Sequence, residues 1–230
     1  VERWPIMAAL WAVIPLANAV YFSRVPLATL HDGQPSMKIR SMLQAKWFWG
    51  FALLMVCAGA SEQGMSQWAS AFAESGLGVS KTVGDLAGPC LFAGTMGLAR
   101  LLYARMSTRV KLTRVMAISA GLCILGYLLA ALAAWPAVGL AGCALVGFSV
   151  GIFWPGTFRL AAANCRTGGT ALFALLALAG DLGCSGGPAT VGLAANAAGG
   201  DLRIGLFAAI GFPVLLLVGL WLHKRQKQPV

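Results

Sequence analysis

A chain of 230 residues that is 59% hydrophobic and only 10% charged departs from soluble domains, which run near half apolar and about a quarter charged, and its mean hydropathy of +0.78 points to lipid. The 29 glycines follow no fixed period, which excludes collagen-like repeats, and the apolar excess excludes intrinsic disorder. A net charge of +10 suggests nucleic acid in a soluble protein, but here the basic residues sit between apolar runs. That pattern is an orientation signal with anionic headgroups as its contact, and no nucleic acid partner is expected.

A membrane-spanning helix needs roughly 20 predominantly apolar residues, and seven segments approach that: 4–22, 47–72, 83–102, 115–134, 136–158, 170–195 and 204–222. The expected class is all-α, a polytopic membrane helix bundle. Span two is apolar to Ala60, is interrupted by Ser61-Glu62-Gln63-Gly64 and resumes to Phe72. Gly94-x-x-Gly97, Gly139-x-x-Gly142 and Gly180-x-x-Gly183 fit the small-residue interfaces that let helices approach closely in lipid. In span six, Gly186-Gly187-Pro188 removes a backbone donor and is expected to loosen the helix.

All Lys and Arg residues except Arg3, Lys81 and Arg203 fall after spans one, three, five and seven, with Arg100 just inside the end of span three. The positive-inside rule puts that face in the cytoplasm, the start outside and the tail inside, in a plasma or inner membrane. Connections are short apart from residues 24–46, a polar stretch with Pro26, Asp32, Gly33 and Pro35. The chain therefore divides into a helix over 1–23, a cytoplasmic linker over 24–46, a six-helix unit over 47–222 and a basic tail over 223–230. It begins at Val1 without Met, which reads as a processed product or a piece of a longer chain.

Ionisable groups at membrane depth cost roughly 2.5 to 3.5 kcal/mol and usually face a pathway. Asp181, at the middle of span six, has three possible roles: proton carrier, cation site or acceptor for solute hydroxyls. The alternative is a structural acid bonded to a neighbouring helix. Gln63 and Gln67 share a helix face, with Glu62 adjacent and Trp68 next in sequence. Amides and an indole suit a polyol; a polar helix end with an interfacial Trp is the other reading. Trp154 is a second aromatic platform or a packing residue, and Lys81 with Asp85 has the spacing of a solvated ion pair.

The six cysteines lie in or at the ends of apolar runs without a CxxC spacing and read as small buried hydrophobes. His31 and His223 lie far apart, so neither a metal nor a cofactor is expected. Span seven has no Lys for retinal, no receptor signatures follow spans three or seven, and no Walker loop exists. No Ser/His/Asp or metal constellation supports an enzyme. Secondary transport remains, with a non-transporting membrane scaffold or assembly subunit as the alternative.

One helix, a long linker and six further helices resemble the end of a major facilitator superfamily transporter, which joins two six-helix halves by a cytoplasmic linker. Residues 97–109, Gly-Leu-Ala-Arg-Leu-Leu-Tyr-Ala-Arg-Met-Ser-Thr-Arg, are similar to that family's Gly- and Arg-rich gate motif. Gly97, Arg100, Arg105 and Arg109 match, while Ala104 stands at the Asp position and Ser107 at the Gly position. Gly147, Gly151, Trp154 and Pro155 look like the family's broken tenth helix, and Phe153-Trp154-Pro155-Gly156 is similar to fucose-permease relatives. The resemblance implies symport of a small solute, a sugar or polyol, with a coupling proton or sodium handled by Asp181 or Glu62. It also implies a missing N-terminal half that forms the opposite wall, without which the chain inserts but accumulates nothing.

Overall fold

The computed structural model describes residues 4–25, 37–106, 110–165 and 167–226, and every element among them is helical. Two units are distinguished, Val1–Pro35 and Ser36–Val230. The first contributes α1 (Trp4–Arg24), an apolar helix with Pro15 inside it. Of the long linker expected over 24–46, residues 26–36 lie outside the described residues, and the rest includes the short helix α2 (Ile39–Gln44).

In the second unit, span two is α3 (Lys46–Ser66), α4 (Ala69–Ala71) and a π-helical turn at Phe72–Gly76. Spans three and four are α5 (Lys81–Met106) and α6 (Leu112–Ala131). Span five is split into α7 (Pro136–Val150) and α8 (Phe153–Asn164). Span six is α9 (Gly169–Ala197), and span seven is α10 (Leu202–Ala209) with α11 (Gly211–Gln226). The last helix continues past the 222 boundary, and His223 packs edge-on against Phe51 with ring centroids 5.1 Å apart.

Among the described residues, six helices are long and apolar enough to cross a membrane, and α3 is not one of them. The physical reason is its position. Phe48, Phe51, Leu54, Met55, Cys57, Ala58, Ala60, Ser61 and Met65 are all buried, because α3 is packed against α7, α8, α9, α10 and α11. A helix wrapped by protein need not match the apolarity of acyl chains, so it tolerates Ser61-Glu62-Gln63.

The closest packing joins α3 to α9. A side-chain carbon at Gly59 would overlap the Gly180 carbonyl, one at Gly183 the Val56 carbonyl and one at Gly187 the Ala60 carbonyl. Backbone meets backbone along this crossing, which substitutes for a hydrophobic drive that lipid does not supply. Gly139 packs on Leu77, and Gly142 lies on Gly126 and Ala130. Two of the three expected glycine pairs are therefore interface residues. The third is corrected: Gly94 and Gly97 face open space, because α5 turns them away from α7, which it meets through Phe92 against Gly147.

A second correction concerns span six. The helix α9 runs unbroken through Gly186, Gly187 and Pro188; α3, seated on Gly187 at Ala60, braces the turn where a donor is lost. The interruption falls in span five, at Gly151–Ile152. Pro155 lies in the first turn of α8, where its missing N–H has no intrahelical partner to lose. The buried Tyr127 hydroxyl donates to the Ser61 carbonyl at 2.8 Å, tying α6 to the polar step of α3. Lys81 pairs with Asp85 at 3.7 Å, as its spacing predicts, and also with Glu74 at 3.7 Å. Both pairs are solvent-exposed and contribute little.

Candidate functional site

The polar step of α3 sets the site. Glu62 is half-buried, and its Oε2 is enclosed without a hydrogen-bond partner among the described residues. Cys184, on the facing stretch of α9, packs against Gly59 of α3. The Trp154 ring of α8 covers Gly180, leaving no room for a side chain there, and tilts against Phe158 with centroids 6.1 Å apart. Three of the expected residues, Glu62, Trp154 and Asp181, thus belong to helices that pack together along one stretch of α9, Gly180 to Gly187.

They do so in different environments. Asp181 is exposed on α9 between Leu178 and Leu182, themselves 57% and 65% exposed. This is the face opposite the glycines that meet α3. Its backbone carbonyl accepts from the Ser185 hydroxyl at 3.2 Å.

The rest of the expected polyol group is arranged differently from a common binding face. Gln67 donates its side-chain amide to Gln63 Oε1 at 3.2 Å, so the two amides partly satisfy each other. The Trp68 indole N–H donates to the Pro188 carbonyl at 3.1 Å, and its ring lies over Gly192. Trp68 therefore fastens the end of α3 to the C-terminal part of α9. It lies two helical turns of α9 beyond Asp181.

The gate-motif residues separate as well. Gly97 makes no close packing, Arg105 is exposed in the last turn of α5, and Arg109 lies outside the described residues. Arg100 is directed back along α5. Its Nε donates to the Gly151 carbonyl at 3.3 Å, and its Nη2 approaches Met96 Sδ at 3.7 Å. A guanidinium here serves the carbonyl exposed where α7 gives way to α8.

Sequence reasoning grouped Arg100 with the loop and missed two neighbours. Arg159 Nη1 donates to the Tyr103 hydroxyl at 3.1 Å, and Arg100, Tyr103, Ile152, Pro155 and Arg159 line a cleft of about 310 Å³. The available signal was directional: helical side chains lean toward the N-terminus, so Arg100 reaches Met96 rather than the loop.

Comparison with curated proteins found no match. The family model of the Major Facilitator Superfamily matches residues 3–188, a stretch that contains α1, the whole polar step of α3, the broken span five and Asp181 on α9. An all-helical chain with apolar membrane-length helices and this match belongs to the Major Facilitator Superfamily, the membrane transporters of small solutes.

Proposed function

We propose that this protein moves a small polar solute, a sugar or polyol, across a cell membrane by secondary active transport, with Glu62 and Asp181 as its ion-handling acids. The observation that carries the reading is the crossing of α3, α8 and α9 along Gly180–Gly187, which brings together the helices that bear Glu62, Trp154 and Asp181. Carboxylates suit hydroxyl recognition and a coupling proton or sodium, and an indole covers the apolar face of a sugar ring. Gln63 and Gln67 extend the polar face toward the end of α3, with Trp68 holding that end in place.

Helices α3 to α11 form one half of the transporter, and another six-helix half supplies the opposite wall of a site that rocks between the two membrane faces. The unpacked Gly94 and Gly97 of α5 and the exposed Asp181 face of α9 are surfaces such a half would cover. Arg100, Arg105 and Arg109 act at the gate, Arg100 through the Gly151 carbonyl at the break of span five.

The test is counterflow in proteoliposomes containing the intact gene product, run against a panel of neutral sugars and polyols. Saturable exchange is expected for at least one member. Trp154→Ala should raise its half-saturation about tenfold, corresponding to about 1.4 kcal/mol. A panel with no exchange, or a Trp154→Ala variant with wild-type half-saturation, defeats the proposal.

Orientation is tested separately. The bias of Lys and Arg supports a cytoplasmic position for the start of α6 and the end of α11. In single-cysteine variants on whole cells, an impermeant thiol reagent should label position 75 (Ser75→Cys) and spare position 224 (Lys224→Cys). The reverse pattern inverts the topology.

A further inference from the structure

A groove of about 660 Å³ opens between α6 and α11, lined by Lys111, Thr113, Arg114, Ala117, Leu217, Val218, Leu220, Trp221 and Lys224. Its volume is within the roughly 300–1,000 Å³ of small-molecule sites, yet it lies away from Glu62, Trp154 and Asp181. The helices run antiparallel, one leaving and one arriving at the same end of the bundle, and Met116 and Ala120 of α6 and Leu216 and Leu220 of α11 are buried. The groove has two chemistries. Ala117, Leu217, Val218 and Trp221 make an apolar wall along the span, with Val218 46% exposed and Trp221 51% exposed. Lys111, Arg114 and Lys224 stand at its mouth, all exposed, and no lining residue is acidic.

We infer that this groove binds one anionic phospholipid, its phosphate held by Lys111, Arg114 and Lys224 and an acyl chain laid along Ala117, Leu217 and Val218. Both helices belong to membrane-crossing segments, so the bilayer is what bathes this face. An occupant must be apolar along the span and negative at the rim. Basic pockets between membrane helices recognise anionic headgroups in this way, each cation adding to the attraction. Trp221, an amphipathic ring near the rim, suits the headgroup boundary. A zwitterionic lipid fills the same apolar wall but leaves the three cations without a net counter-charge, so the groove selects by headgroup.

Native mass spectrometry of the delipidated protein, titrated with dioleoyl phosphatidylglycerol or dioleoyl phosphatidylcholine, tests this. Phosphatidylglycerol adducts are expected at concentrations about tenfold lower or more. The triple variant Lys111→Gln/Arg114→Gln/Lys224→Gln should bind the two lipids alike. Val218→Trp, at an exposed wall position, should weaken both while keeping the charges. Equal wild-type affinities overturn the inference without any variant being needed. It also fails if the preference survives in the triple variant, or if phosphatidylglycerol binds Val218→Trp as well as wild type. A wild-type dimer that Val218→Trp disperses, with lipid binding unchanged, assigns the groove to a second copy instead.

Discussion

Gly183→Ala should lower the melting temperature of the detergent-solubilised protein by several degrees, whereas Gly186→Ala, three residues further along the same helix, should leave it unchanged or raise it. Both substitutions gain up to about 1 kcal/mol of helix propensity. They differ in what the new methyl meets. At Gly183 it overlaps the Val56 carbonyl and backbone of α3; at Gly186 nothing lies within 4 Å. Overpacking costs about 1–3 kcal/mol when flexible side chains can yield, and here the obstacle is main chain, so two helices must separate. With Gly59, Gly180 and Gly187 in the same crossing, separation at one point loosens its neighbours. At about 2–4 °C per kcal/mol for chains of this size, the gap between the variants is readily measured by thermal denaturation. Equal melting temperatures would mean that α3 and α9 do not meet through Gly183.

The spans were legible because a bilayer imposes length and apolarity together, and α1, α5, α6, α9 and the two-part spans five and seven all obey both. Span two was legible only as an irregularity. Its Ser61-Glu62-Gln63 step fails the lipid rule because α3 is enclosed by other helices, and enclosure is a tertiary property. Small-residue patterns have the same limit. Gly94-x-x-Gly97 and Gly180-x-x-Gly183 look alike in sequence, yet one pair faces open space and the other touches α3 and Trp154. Pro188 announces a lost donor without revealing that α3 braces the turn beside it. Among the site residues, the helical period placed Gln63 beside Gln67. It carried no information about the Pro188 carbonyl that takes the Trp68 indole proton. Arg100 shows the reverse: a charge assigned to a loop by proximity in sequence serves the helix break at Gly151.

Asp181→Asn in the intact gene product should insert and fold normally, lose uphill accumulation of solute and retain exchange of solute down its gradient. Asn keeps the size and most of the hydrogen bonding of Asp but carries no charge and takes up no proton. The structural case for a working acid is its exposure. A buried structural acid would be enclosed by partners, whereas Asp181 stands on the open face of α9 between Leu178 and Leu182. Left against acyl chains, a carboxylate there costs roughly 2.5 to 3.5 kcal/mol, so this face is better matched to an aqueous pathway or to the wall of another half. Glu62 stands on the α3 segment that crosses α9 at Gly180–Gly187, and Arg100 donates to the Gly151 carbonyl at the break of span five. Glu62→Gln is the comparison: half-buried on the α3 segment packed against α9, it should impair exchange as well as accumulation. Counterflow and gradient-driven uptake in proteoliposomes separate the two activities. An Asn variant that still concentrates solute, with unchanged dependence on external pH and sodium, removes Asp181 from coupling. A variant with wild-type activity per folded molecule but a low folded yield makes it a structural acid.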